Sequence, residues 1–469
     1  MKTGKKICIN IPGGNLSPIK FRNILSLANS FGADTIEPGT RQEINFTIRS
    51  SFEGNLELET KLNNLNLEYS DDENRKPNIV SSLPVVDIYT ENSWVREGVY
   101  QDTLSQFPKN PNIKINITDP NQSMFPWWGG DLNFVATNKV GFWNIILKES
   151  TGEFKIYPEE IYSNFIGSFV DNISNRPKLE LKVFKDFKDF ITPENLPNFK
   201  RKKFPETEGF HKYGNKYWLG LFSRDYNFPI PLLENLCQIS AETQSVKFGI
   251  TPWRTLIFRD IQEIDLEKWI GVLEKYKYNT RHSGAELAWH ISDSDKEALP
   301  LKMKILKKLE KLDIFPTGIS LGILSEDEEQ ITSIKIQKKF LFPKWKFLKN
   351  GYKIYFSENP WEKSLIPIAK VWNSWDVVKT ISDIIEGKFT KKDFKVEIET
   401  QLPESFETIL KLIYQCLDCG TLYDPEFGDL EQNISLGTNW EAVPESFCCS
   451  VCNNPKTGFE LVKFQELQT

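Results

Sequence analysis

Apolar and polar positions along residues 1–280 switch between two periods, and the switch occurs twice. In NLSPIKFRNILSLANSFGADTIEPGTRQEINFTI, from Asn15 to Ile48, Ile24, Leu27 and Phe31 recur at helical spacing and share one face. A strand, a Thr/Arg turn and a second strand follow. The stretch NFPIPLLENLCQISAETQSVKFGITPWRTLIFRDI, from Asn227 to Ile261, repeats the order, with Leu233, Leu236 and Ile239 on the helix face. Each copy has a Pro near its helix start. Matching positions lie roughly 212 residues apart, so the pattern predicts duplication of one unit. Strand candidates precede both copies (KKICINI and YWLGLF), and WIGVLEKY at 269–276 supplies a second helix. Strand–helix–strand–strand is a ferredoxin-like half-domain pattern.

Length and composition narrow the class. A chain of 469 residues leads to an expectation of about three domains. With 39% hydrophobic and 26% charged residues it is globular rather than disordered. Its 33 Phe and 13 Trp call for aromatic-packed interiors. A net charge of -6 argues against nucleic acid as the main partner, because phosphate binding needs a basic footprint. No apolar run reaches the ~18 residues of a membrane span, so no membrane partner is expected. The start, MKTGKKICINIPGG, has too short an apolar stretch for a signal peptide, which leads to an expected cytoplasmic, reducing compartment.

Five of the seven Cys crowd into positions 416 to 452. In a reducing compartment, clustered Cys point to metal rather than to disulfides. Cys416 and Cys419 form one C-x2-C pair and Cys449 and Cys452 another, with 29 residues between them. Two such loops can close a tetrathiolate site, with backbone N–H groups facing the sulfurs. Each loop needs a residue tolerant of positive φ after its second Cys, supplied by Gly420 and by Asn453. Spacing alone leaves zinc and iron both open. The segment resembles rubredoxin, the one-iron electron carrier, in C-x-x-C-G at 416–420, Tyr423-Asp424-Pro425, Gly428-Asp429, Ile434, Gly437-Thr438, Val443-Pro444 and C-x-x-C at 449–452. The resemblance covers about the last 55 residues and implies one iron on four thiolates. Trp440 and Phe447 exchange the usual Phe and Trp, Ser450 replaces a usual Pro, and Cys448 is an additional thiol, read as pointing away from the site. From Tyr414 to Val462 there are eight acids and one base, Lys456, for a net -7 that leaves about +1 for the rest of the chain. An acidic face steers basic partners.

Over most of residues 1 to 385 the chain resembles the siroheme-dependent nitrite and sulfite reductases. GTRQEINFTI (39–48) is similar to their T-x-R-Q turn, and PNIVSSLP (77–84) falls where they carry Arg-Asn-Val. FPKNPNIKINI and DLNFVAT resemble two later strands, and TPWRTLIFRDI a second half-domain strand pair. The resemblance implies two ferredoxin-like half-domains packed as one, plus two α/β lobes. It also implies a possible siroheme pocket at Arg41, Lys109 and Lys114. The family's four-iron cluster needs C-x5-C and C-x3-C pairs, and no Cys occurs near 281–291 or 319–330. Cys8 and Cys237 read as buried small hydrophobes, so no four-iron cluster is expected. His282, near the lost cysteines, is read as a hydrogen-bonded His rather than an iron ligand. FPWWGGD (125–131) reads as an aromatic packing loop, and KMKILKKLEKL (302–312) as an amphipathic helix with a lysine-rich exposed face.

The fold expected is α+β: a nitrite/sulfite reductase-like body and a small C-terminal rubredoxin fold. Its parts are a ferredoxin-like half-domain at 1–70, a lobe at 71–205, a second half-domain at 206–280, a second lobe at 281–387, a linker at 388–413 and a rubredoxin domain at 414–469. The function expected is electron transfer, with a one-iron centre on a reductase-like scaffold in nitrite or sulfite assimilation. The alternative is a siroheme-dependent reductase fed by its own rubredoxin domain, so whether the chain is an enzyme stays open. With no dinucleotide or Walker fingerprint in the chain, electrons must come from another protein. Expected partners are a flavoprotein reductase as donor and an acceptor reductase.

Overall fold

The computed structural model describes residues 4–49, 56–71, 75–89, 93–107, 111–149, 151–174, 204–243, 247–280, 282, 290–291, 297–315, 318–324, 331–339, 351–361, 365–387 and 409–466, the last without 418–421, 424, 426–428, 430–431, 433, 436 and 451. The chain divides into two compact units, Met1–Phe394 and Lys395–Thr469.

The larger unit starts from the duplicated pattern. Ser17 caps the helix Pro18–Ser30, its Oγ accepting from the Lys20 N–H at 3.2 Å, and Pro18 opens the first turn. The helix buries Phe21, Ile24, Leu25, Leu27 and Ala28. Its counterpart, Ile230–Glu242, buries Leu232, Leu233, Leu236, Cys237 and Ile239. The strands that follow, Thr35–Pro38 with Ile44–Thr47 and Lys247–Ile250 with Leu256–Gln262, are joined by turns of one design. In the first turn Gly39 N donates to Glu43 O at 2.8 Å and Gln42 N to Gly39 O at 3.2 Å. In the second, Thr251 N donates to Thr255 O at 3.0 Å and Arg254 N to Thr251 O at 3.1 Å. Gln42 and Arg254, 212 positions apart, both hold positive φ, at 64° and 59°.

The two copies exchange strands. Asn15–Leu16 pairs with the second copy's edge strand, Leu16 opposite Phe248. Phe228–Pro229 pairs with the first copy's edge, Phe228 opposite Ile36. Each five-stranded sheet is therefore completed by the other copy. Phe21 and Phe248 stack across the join with centroids 4.0 Å apart. One apolar core serves both copies, and each fully buried Leu, Ile or Phe in it contributes about 1.5–3 kcal/mol.

The duplication extends to the lobes. In the first, Val80–Ser81, Ile115–Thr118 and Leu132–Ala136 run parallel, then Phe142–Lys148 and Phe154–Ile156 run antiparallel. In the second, His290–Ile291, Leu321–Ile323 and Ile334–Lys339 run parallel, then Gly351–Phe356 and Ile366–Val371 antiparallel. Their junctions match bond for bond. Lys114 O accepts from the N–H groups of Asp131 and Leu132, and Ser320 O from those of Ser333 and Ile334. Asp131 Oδ2 caps the Lys114 N–H as Ser333 Oγ caps that of Ser320.

Two sequence readings meet the lobes differently. FPWWGGD is packing, with Phe125, Trp127 and Trp128 buried against Trp253 and Trp361. The lysine-rich helix is Ala298–Lys311, and one of its lysines is misread as exposed. Lys302 is fully buried, donates to Arg224 O at 2.7 Å and lies 4.4 Å from the Tyr226 ring centroid. Its i+3 and i+4 neighbours Ile305 and Leu306 place it on the apolar face, where the aromatic rings receive the cation.

His290 lies buried in the second lobe's first strand, near Arg254 and Lys302. Burial, reinforced by those two cations, pulls its pKa down to about 3. An unfolded imidazole titrates near 6.5, so stability from neutral His290 is complete above about pH 6.5 and is lost as pH falls toward 3. Melting temperature against pH should therefore fall over that window, and H290F should flatten the fall. An unchanged profile in H290F would refute the assignment.

In the smaller unit the strand Ile409–Cys416 pairs along its length with Phe459–Glu466 and, at its end, with Leu422–Tyr423. It starts at Ile409, within the stretch read as linker. Among the described residues no helix is long and apolar enough to cross a membrane.

Candidate metal centre

Cys416 ends the strand Ile409–Cys416, opposite Phe459, and Leu417 N donates to Gly458 O at 2.9 Å. The second loop is closed by its own backbone: Cys449 N donates to Asn454 O at 2.7 Å, and Asn453 N to Cys449 O at 2.9 Å. Asn453 has φ 60°, the left-handed conformation its position requires. These constraints bring the sulfurs of Cys416, Cys449 and Cys452 within 4.8 Å of one another. Cys416 and Cys452 Sγ are 3.5 Å apart. A disulfide needs about 2.05 Å, whereas a tetrahedron with ~2.3 Å metal–sulfur bonds has edges of about 3.8 Å. The donor set thus fits one soft, tetrahedral ion. Cys419 and Gly420 lie outside the described residues.

Cys416 and Cys449 are buried and Cys452 is exposed, so one edge of the site faces water. The Asn454 Nδ2–H points at Cys416 Sγ from 3.6 Å and also donates to Gly458 O at 3.3 Å. A Cβ at position 458 would collide with the Asn454 amide, which is why glycine stands there. Gln432 holds the loop from outside, its Nε2 donating to Cys448 O at 2.6 Å and its Oε1 accepting from Cys448 N at 3.3 Å. The Cys448 thiol turns to Ser446 O and is not among the clustered sulfurs. Sequence reasoning missed Asn454 and Gln432, because an amide acting on backbone or sulfur leaves no spacing pattern.

The exchanged aromatics still make one core. Trp440 stacks on Tyr414 at 4.4 Å and meets Phe447 edge-on at 5.6 Å. Lys456, the one base between Tyr414 and Val462, is tied to Val443 O at 2.7 Å and Glu445 Oε1 at 3.0 Å. The acidic character of the segment therefore goes largely unopposed.

In the larger unit, Arg41 and Lys114 line one cavity of about 140 Å³, with Asn116, Trp128, Pro252 and Ile331 among its walls. Lys109 lies outside the described residues. The Arg41 guanidinium is already engaged: Nε and Nη2 donate to Asn78 O at 3.1 and 2.7 Å, and Nη2 also to Ile115 O at 3.0 Å. Burial pulls its pKa down to about 10. Lys114 is exposed. Among the described residues this pair does not by itself supply the several uncommitted cations that siroheme's eight carboxylates need. His282 Nδ1 pairs with Glu208 Oε1 at 2.8 Å, the hydrogen-bonded role expected of it. Burial pushes the thiols of Cys8 and Cys237 up to about 12, so both remain protonated small hydrophobes.

The rubredoxin family model matches residues 413–459. Rubredoxin-1 of Chlorobaculum tepidum is 39% identical over 56 residues, 12% of this chain and 81% of the relative. Rubredoxin-1 of Pseudomonas aeruginosa is 42% identical over 50 residues, 11% of this chain and 91% of the relative. The anaerobic nitric oxide reductase flavorubredoxin of Aliivibrio fischeri is 30% identical over 103 residues, 21% of this chain and 20% of that protein. Among solved structures, the Mycobacterium tuberculosis NirA protein superposes with a TM-score of 0.62 at 15% identity, covering 84% of this chain and 82% of that one. The likeness to NirA is one of fold, and it agrees with the reductase-like body expected from the sequence.

Proposed function

Because the chain belongs to the rubredoxin family through residues 413–459, we propose that it is an electron carrier in which Cys416, Cys419, Cys449 and Cys452 hold one iron. In this reading it serves assimilatory nitrite or sulfite reduction, takes electrons from a flavoprotein reductase and passes them to an acceptor reductase. The observation that carries the reading is the convergence of three cysteine sulfurs within 4.8 Å at the position of the family's metal site.

Bound iron supplies a one-electron ferric–ferrous couple. The protein's part is to hold the thiolates nearly still, so that little rearrangement opposes transfer. Backbone pairing fixes Cys416, and the closed turn at Asn453 fixes Cys449. The Asn454 amide offsets negative charge on Cys416 sulfur, which favours the more reduced, more negative state of the site. Exposed Cys452, beside exposed Leu417, gives a partner close approach to one edge. The net charge of -7 from Tyr414 to Val462 selects a basic face on that partner.

Visible spectroscopy before and after dithionite, with metal analysis on the same sample, tests the proposal. Iron at one per chain with thiolate-to-iron bands that bleach is the expected result. Stoichiometric zinc in protein made with ample iron would overturn the redox role. Tetrapyrrole bands in addition would move the reading to a reductase.

A further inference from the structure

The cavity at Arg41 is divided by chemistry. Phe125, Trp128 and Ile331 supply apolar walls, and Thr40, Arg41 and Lys114 supply polar ones. Trp128 Nε1 donates to Trp361 O, so the indole offers the cavity only carbon. The Arg41 guanidinium is held in place by its backbone partners and by Asn116 Oδ1, 3.3 Å from Nη2. All of these bonds use Nε and Nη2, and Nη1 has no partner among the described residues. With a pKa of about 10 the group is still cationic at neutral pH. The Lys114 ammonium and the Thr40 hydroxyl likewise make no bond among the described residues. The acids that act on Arg41 are already engaged. Glu43 accepts from the Arg41 N–H and pairs with Arg75, and Asp131 Oδ2 accepts from the Lys114 N–H.

We infer that this cavity binds a small aromatic carboxylate, its ring against Phe125 and Trp128 and its carboxylate between Arg41 Nη1 and Lys114. A guanidinium nitrogen and an ammonium without partners call for an anion. Their capacity is that of one carboxylate, whereas siroheme has eight. The space sets the size of the rest. An apolar cavity of about 150 Å³ takes benzene, and this one is about 140 Å³. An inorganic oxyanion would pair the cations but leave the apolar walls wet. A neutral hydrocarbon would cover the walls but leave the cations unpaired. A flat ring also meets the two aromatic walls in the edge-to-face or offset contacts that such rings prefer. Because the carbonyl bonds already fix Arg41, little ordering opposes binding.

Calorimetric titration of the full chain with benzoate tests this. The expected result is one site per chain with a Kd below about 1 mM. Benzamide, which keeps the ring and loses the charge, should bind about tenfold more weakly or worse. Acetate, nitrite and sulfite, which keep the charge and lose the ring, should do the same. K114M should also weaken benzoate about tenfold, and K114R should keep it. Without ligand both variants should melt as the parent does, because the Lys114 ammonium holds nothing in the chain. Absence of benzoate binding, or equal binding by K114M, would overturn the inference. Nitrite or sulfite bound as tightly as benzoate would overturn it in favour of an inorganic oxyanion site, and so would a tetrapyrrole that blocks benzoate.

Discussion

Serine in place of Cys449 will cost the smaller unit its fold as well as its metal. That unit has a buried core of Tyr423, Ile434, Val443 and Phe447 under a sheet whose third strand is two residues long. Below roughly 70–80 residues a core of this kind rarely supplies more than about 3–5 kcal/mol. In zinc-finger peptides a structural tetrahedral metal contributes about 10–16 kcal/mol, a scale that dominates such a balance. A hydroxyl is a much poorer ligand for a soft ion than a thiolate, and at this buried position it would have little water to replace the lost bond. Limited proteolysis of C449S should therefore release residues 409–466 while Met1–Phe394 keeps the melting transition of the parent. A variant that stays protease-resistant, with its bleachable bands intact, would show that Cys449 is not a ligand.

The second large effect is expected far from any metal. Gln42 is fully buried and its amide makes three bonds: Nε2 donates to Ser81 O and Ile250 O, each at 2.9 Å, and Oε1 accepts from Ser81 N at 2.8 Å. One side chain thus joins the first copy's turn, the first lobe and the second copy. Leucine there would leave three buried backbone groups without partners, each costing about 1–3 kcal/mol. Urea unfolding of Q42L should show a loss of about 4 kcal/mol in the larger unit. A loss under about 1 kcal/mol would mean that water or a local shift satisfies those groups.

Gln42 also shows how far the sequence could be read. The T-x-R-Q turn is visible in the sequence, which singles out its arginine as a possible pocket residue and passes over its glutamine. Both residues bond backbone carbonyls distant in sequence, Asn78 and Ile115 for Arg41 and Ser81 and Ile250 for Gln42. Such long-range bonds leave no local period. The helix faces were legible because their apolar spacing is local, and so was the 212-residue offset, which returns in the turn bonds at Gly39 and Thr251. The lobes were placed only by resemblance, since their parallel strands are short and buried. Lys302 was misread because the helix pattern gave it to solvent by charge alone, while two aromatic rings from elsewhere in the chain waited on the buried side. At the metal centre, ligand spacing and the left-handed Asn453 were plain, and the amides that support them were not.

The exchanged strands set a condition on biosynthesis. Thr35 hydrogen-bonds Asn227, 192 positions further on, just before Phe228–Pro229 completes the first sheet. A ribosome adding about 5–20 residues per second needs roughly 10–40 s to cover that distance. Hairpins form in about 1–10 μs, so the first copy can collapse long before its covering strand exists. During that interval the Thr35–Pro38 edge is an open template for pairing with neighbouring nascent chains. The yield of this protein should therefore respond to growth temperature and to chaperones that act at the ribosome, even where the finished fold is stable.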